Sequence, residues 1–241
     1  MTAGAFPQLP HREPHPGGGS QRLNWLRAGV LGAQDGGVSV AGLVIGVAAS
    51  GATGQQLFTA GMAGLVAGAL SMGVGEYVSV STQRDTEMAL LTKESGELRD
   101  QPDAELAELT QIYQDKGLEP ELAHEVAVAL TAHNPLAAHA ETELGISAEE
   151  LTSPWQAALA SVISFTVGAV LPFLVIMLTP AAIRIVATVA TAVVALALTG
   201  YVSARLGGAP TVRAIVRNAV GGIAAMGITY LIGALLGTRV G

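Results

Sequence analysis

The stretch GAQDGGVSVAGLVIGV, residues 32–47, sets one carboxylate, Asp35, at the head of an otherwise uncharged apolar run. Two readings compete. In one, Asp35 caps a helix that starts at Gly36 and lends its oxygens to the first free N–H groups. In the other it lies inside a membrane-spanning helix, where an ionisable residue marks a cation or proton site. Between Val38 and the next turn, SGATGQQ (50–56), there are only about 12 residues, short of the roughly 20 a span needs. The helix is therefore expected to start earlier and to enclose Asp35.

Composition extends that reading to the whole chain. Of 241 residues, 50% are hydrophobic and 13% charged, against about 25% charged in a soluble domain. The deficit is uneven. Between Gly36 and Thr82 the only formal charge is Glu76, and between Leu151 and Val240 there is no Asp or Glu. Every acidic residue except Glu13, Asp35 and Glu76 falls between Asp85 and Glu150. The pattern predicts an all-α polytopic membrane protein with an acidic, water-exposed helical insert. The net charge of −7 argues against nucleic acid and for cations as partners. The chain has no cysteine, which excludes disulfides and thiolate metal sites.

Five spans are expected, at about 28–49, 57–78, 154–178, 181–204 and 212–236, with Pro172 as a kink point in the third. The breaks LTPAA (178–182) and RLGGAP (205–210) carry the usual Pro and Gly punctuation. The segments are a disordered tail over 1–24, a first helix pair over 25–80, the insert over 81–153 and three further spans over 154–241. The tail lacks an apolar core and reads as no signal peptide; its His11 and His15 are more simply flexible-tail residues than metal ligands. Arg12, Arg22, Arg27, the basic residues of the insert, Arg205, Arg213 and Arg217 fall on one side of five spans, and only Arg184 and Arg239 on the other. The positive-inside rule then places the N-terminus and insert in the cytoplasm and the C-terminus outside. The glycine pairs Gly42/Gly46, Gly64/Gly68 and Gly233/Gly237 suit close helix packing in lipid, although glycine is common throughout this chain.

Counting outward from the turn between the first two spans puts Asp35 and Met72 at similar depth, each about 18 residues away at about 1.5 Å per residue. Glu76 is one turn nearer the insert, at i+4 from Met72, on the same helical face. Two carboxylates and a thioether suit a borderline divalent cation such as ferrous iron. A carboxylate there can also exchange a proton as a cation arrives or leaves. The plainer alternatives are a headgroup-level Glu76 and a core-filling Met72.

In the insert, Glu94/Glu97 and Glu105/Glu108 are i,i+3 pairs that share a helix face and repel one another. HAETELG (139–145) adds His139, Glu141 and Glu143. Helical segments folding together can converge several of these on iron, manganese or calcium; a solvated acidic face is the alternative. ELAH (121–124) matches one Glu-x-x-His element of a di-iron bundle, which requires two. No phosphate loop, zinc-protease pattern or nucleophile triad is present, so an enzyme is not expected, nor a cofactor beyond divalent metal as substrate and insert ligand.

These residues resemble the vacuolar iron transporter family of divalent-metal/proton antiporters, including its bacterial members. The resemblance rests on GAQDGGVS (32–39), GLVAGALSMGVGEYVSVSTQRD (64–85), the Glu-rich insert ending ETELG (141–145) and FTVGAVLPFL (165–174), and covers nearly everything after Asn24. It implies a five-span homodimer with the substrate path between protomers. It implies a transport-path role for Asp35 and Met72 and metal binding by Glu94, Glu97, Glu105, Glu108 and Glu143. The chain departs from the family in having Gln34 before Asp35 and Gly36, where Asn is frequent. It also has His139-Ala140 where some members carry a Met pair, so His139 stands as a replacement ligand.

The expected function is export of ferrous iron, with manganese as a second candidate, from the cytoplasm by proton antiport, across a bacterial plasma membrane. Asp35, Met72 and Glu76 would line the path. Glu94, Glu97, Glu105, Glu108, His139 and Glu143 would bind metal in the insert. The alternatives are a membrane-anchored metal-binding or sensing module without transport and, more weakly, a di-iron oxidase using Glu121 and His124.

Overall fold

A computed structural model describes residues 19–147 and 152–240. Among them the chain is helical throughout, in the order α1 (Gly19–Ala49), α2 (Gly54–Asp100), α3 (Pro102–Asp115), α4 (Pro120–His133) and α5 (Pro135–His139), then a π-helical turn (Ala140–Leu144), then α6 (Pro154–Leu178), α7 (Arg184–Leu206) and α8 (Thr211–Val240). The apolar span Pro154–Leu178 falls where the uncharged run puts it. Five helices are long and apolar enough to cross a membrane, and the protein is an integral membrane protein.

The starts of α1 and α7 differ from expectation. α1 starts at Gly19, so residues 19–24 are helical rather than part of the tail; no Pro or Gly interrupts the chain between Gly19 and Gly29. Residues 1–18, with His11 and His15, lie outside the described residues. α7 starts at Arg184 rather than 181, because a turn intervenes in which the Pro180 carbonyl accepts from the N–H of Ile183 and Arg184. α6 continues as helix through Pro172.

α2 starts on a capping box: the Thr53 hydroxyl accepts from the Gln56 N–H, while the Gln56 side chain accepts from the Thr53 N–H. Its 47 residues make a rod of about 70 Å, more than twice the roughly 30 Å hydrocarbon core. Half of α2 therefore projects from the membrane. Tyr77 and Trp155 touch at a ring-centroid distance of 4.8 Å where α2 leaves the bundle and α6 enters it, the position of an interfacial aromatic belt. α2 stops at Gln101 because Pro102 disfavours helical backbone in the residue before it.

The membrane core gathers Val40, Val44, Ile45, Leu57, Phe165, Ile176 and Met226. α1 is its central strut, packed against α2, α6, α7 and α8. At the α1–α6 crossing the backbones themselves meet. A Cβ on Gly36 would run into the Phe165 backbone, and one on Gly168 into the Ala33 backbone. Gly46 and Gly233 meet in the same way where α1 crosses α8. Gly64 and Gly68 instead leave room for the Leu43 and Phe165 side chains. Outside the membrane, α3, α4 and α5 close a small core of Leu109, Ala127 and Ala138, flanked by Leu106, Tyr113 and Leu130.

Candidate metal centres

The projecting part of α2, the start of α3 and the α5–π junction converge on one point. Glu94 (4% exposed), Glu105 (7%) and His139 (0%) are buried together, with ligand atoms all within 4.8 Å of one another. His139 Nδ1 lies 3.0 Å from Glu94 Oε1, 3.4 Å from Glu143 Oε2 and 3.8 Å from Glu105 Oε2. Glu94 Oε1 nevertheless has no hydrogen-bond partner among the described residues; it is near the imidazole nitrogen without being aligned as its acceptor. Ligands held at about 2.0–2.2 Å from one ion stand about 3–4 Å apart, and the Nδ1-to-carboxylate distances fall in that range.

Local structure explains the convergence. Glu94 and Glu105 flank the break forced by Pro102, so the end of α2 and the start of α3 turn their carboxylates inward. His139 ends α5 and the π turn begins at the next residue; π turns are frequent at functional sites. The turn closes at Gly145, whose φ of +65° suits glycine. His139 and Glu143 lie on one face, at i,i+4.

Charge makes the cluster costly as it stands. Burial raises the Glu94 carboxyl pKa above the ordinary carboxylate range; Glu143, Glu105 and Glu97 add to this and His139 opposes it. Burial likewise raises Glu105, with Glu108, Glu97 and Glu143 adding and His139 opposing. Three carboxylates face one imidazole, which supplies at most one positive charge. A divalent cation removes that deficit.

The other insert residues stand apart. Glu97 pairs with Lys93 at 2.8 Å on the exposed face of α2. Glu108 and Glu141 are exposed. Glu97 and Glu108 thus act on the cluster through their charge. Glu121 and His124 are exposed on α4, and His124 Nδ1 has only the Thr110 hydroxyl at 3.5 Å; they do not join the cluster.

Within the membrane, Asp35 lies in mid-helix, far from the start of α1 at Gly19, so it is no helix cap. Asp35, Ser39, Gly68, Ser71, Met72 and Phe165 line one cavity of about 230 Å³ between α1 and α2. The Ser39 hydroxyl donates to Asp35 Oδ1 at 2.7 Å. Ser39 and Ser71 were not singled out from sequence, although Ser39 at i+4 from Asp35 was a readable signal. Glu76 is half-buried, next to the Tyr77–Trp155 contact, and does not line this cavity.

A family model described as the VIT family matches residues 26–234. The chain is 49% identical over 141 residues to a protein named vacuolar iron transporter from Acanthamoeba castellanii, covering 58% of this chain and 51% of that one. It is 38% identical over 223 residues to vacuolar iron transporter homolog 1 of Oryza sativa subsp. japonica, covering 91% of this chain and 78% of that one. It is 36% identical over 221 residues to vacuolar iron transporter homolog 4 of Arabidopsis thaliana, covering 91% and 88%. The matched stretch is about half the length of the Acanthamoeba protein and most of the length of the two plant ones. With the family model covering all five spans and the insert, the chain belongs to the vacuolar iron transporter (VIT) family.

Proposed function

We propose that this protein carries a divalent cation, ferrous iron first and manganese second, out of the cytoplasm in exchange for protons. The observation that carries the reading is the shared cavity of Asp35 and Met72, a carboxylate and a thioether at one depth in an otherwise apolar bundle. Asp35 binds the cation as a carboxylate and takes a proton when the cation leaves. Ser39 holds one carboxylate oxygen and leaves the other for the cargo. Glu76 at the interface would hand cations between the insert and the cavity. The insert collects them at Glu94, Glu105, His139 and Glu143, with Glu97 and Glu108 drawing them in. The N-terminus and the insert then face the cytoplasm and the C-terminus faces outward, in a bacterial plasma membrane.

Asp35 is exposed on the single chain, and so are Phe58, Met62, Val66 and Leu70 along α2. A carboxylate open to hydrocarbon is costly, which supports a homodimer that covers this face.

A membrane-anchored sensing module is the second reading. It is favoured by the ligand set of the insert being the more enclosed of the two, about 33 Å along α2 from Met72 (22 residues at about 1.5 Å each). Sealed vesicles with a pH gradient separate the two readings. Uptake of iron, compared with manganese, cobalt and zinc, supports transport. Metal binding by the full chain without any flux supports the module.

A further inference from the structure

We propose that the groove between α1 and α7, on the membrane face nearest the insert, holds one acyl chain of an anionic phospholipid whose phosphate is met by Arg205. The groove is a cavity of about 340 Å³ lined by Val30, Ala33, Leu198, Thr199, Val202 and Leu206, among others. Thr199 is the one polar side chain among these, and its hydroxyl already donates to the Ala195 carbonyl at 2.9 Å. The lining therefore asks for hydrocarbon. From Leu198 to Leu206 the groove runs about 12 Å along α7, close to the half-thickness of a hydrocarbon core of about 30 Å. It is thus confined to one leaflet, as a lipid tail is.

Charge identifies the headgroup. Arg205 follows Leu198 at i+7 and Val202 at i+3, so it continues the stripe of α7 that lines the groove. Arg213 and Arg217 begin α8 across the short turn after α7. All three are exposed, and among the described residues none has an ion-pair partner. The chain offers no carboxylate anywhere between Leu151 and Val240 to neutralise them. Basic residues beside a gap between spans at the membrane surface are the chemistry that selects anionic lipid headgroups.

Thermal unfolding and native mass spectrometry of the full chain in detergent test this with added phosphatidylglycerol, phosphatidylcholine or glycerol phosphate. Phosphatidylglycerol should raise Tm and remain bound, and the other two should not. Arg205→Gln should weaken the phosphatidylglycerol response about fivefold, and Arg205→Lys should keep most of it. Val202→Trp changes a side chain already 48% exposed; it should fill the groove and abolish the response while leaving Tm without lipid unchanged. Equal effects of both lipids, an equal effect of glycerol phosphate, or an undiminished response in Arg205→Gln or Val202→Trp would overturn the proposal. None of these readouts depends on transport.

Discussion

His139 Nδ1 lies 3.0 Å from Glu94 Oε1, both side chains are buried, and the two atoms are not aligned as a hydrogen bond. A carboxylate oxygen and an imidazole nitrogen at this distance suit neighbouring ligands of one metal ion. His139→Ala should weaken binding of a divalent ion at the insert by at least about tenfold, or about 1.4 kcal/mol, measured by titration calorimetry on the full chain. Unchanged affinity would remove His139 from the site.

Glu94→Gln separates the charge argument from simple packing. It removes a buried negative charge that little in the protein offsets, so the metal-free protein should gain stability while affinity for metal falls. Thermal melts with and without metal read both signs. A variant less stable in both conditions would mean that Glu94 is held by protein contacts alone.

The pH dependence follows from the raised carboxyl pKa values of Glu94 and Glu105. A folded-state pKa above the unfolded one means that the native protein holds more protons in the window between them, so metal-free stability falls as pH rises through that window. It is fully regained below the unfolded value of about 4.3. Metal competes with those protons. The stabilisation by metal should therefore be larger at pH 7 than at pH 5, with proton release on binding. A metal effect independent of pH would contradict the buried-carboxylate site.

Gly36→Ala and Gly168→Ala each place a methyl group against backbone where α1 crosses α6. Overpacking of this kind costs about 1–3 kcal/mol, and it would move Asp35 as well. Gly96→Ala, with nothing within 4 Å of its Cβ position, should instead stabilise α2 by about 0.5–1 kcal/mol through helix propensity. Melting curves of the three variants check the order.

Much of the fold was legible because charge is costly in hydrocarbon: an uncharged run alone marked Pro154–Leu178. α2 runs on past the membrane through a stretch with no Pro or Gly between Gly75 and Gly96, passes Gly96 and stops only where Pro102 disfavours helical backbone at Gln101. The side of each acidic pair that turns inward was not legible. Glu94 and Glu97 share a face by spacing, yet one is buried beside His139 and the other pairs with Lys93 at the surface. The docking of α5 and the π turn over α2 decides that, and it is a tertiary event. Level placement of Asp35 and Met72 could be counted from the hairpin turn, whereas the Ser71 wall of their cavity needed the packed helices.

The central claim is that Asp35 takes up the cation and the proton in turn. Its most direct test is divalent-metal flux into sealed vesicles under an imposed pH gradient, wild type against Asp35→Ala, with vesicle pH followed in the same experiment. The account predicts coupled metal and proton movement in the wild type and loss of both in Asp35→Ala, with metal binding by the insert intact. Flux in Asp35→Ala equal to wild type would contradict it.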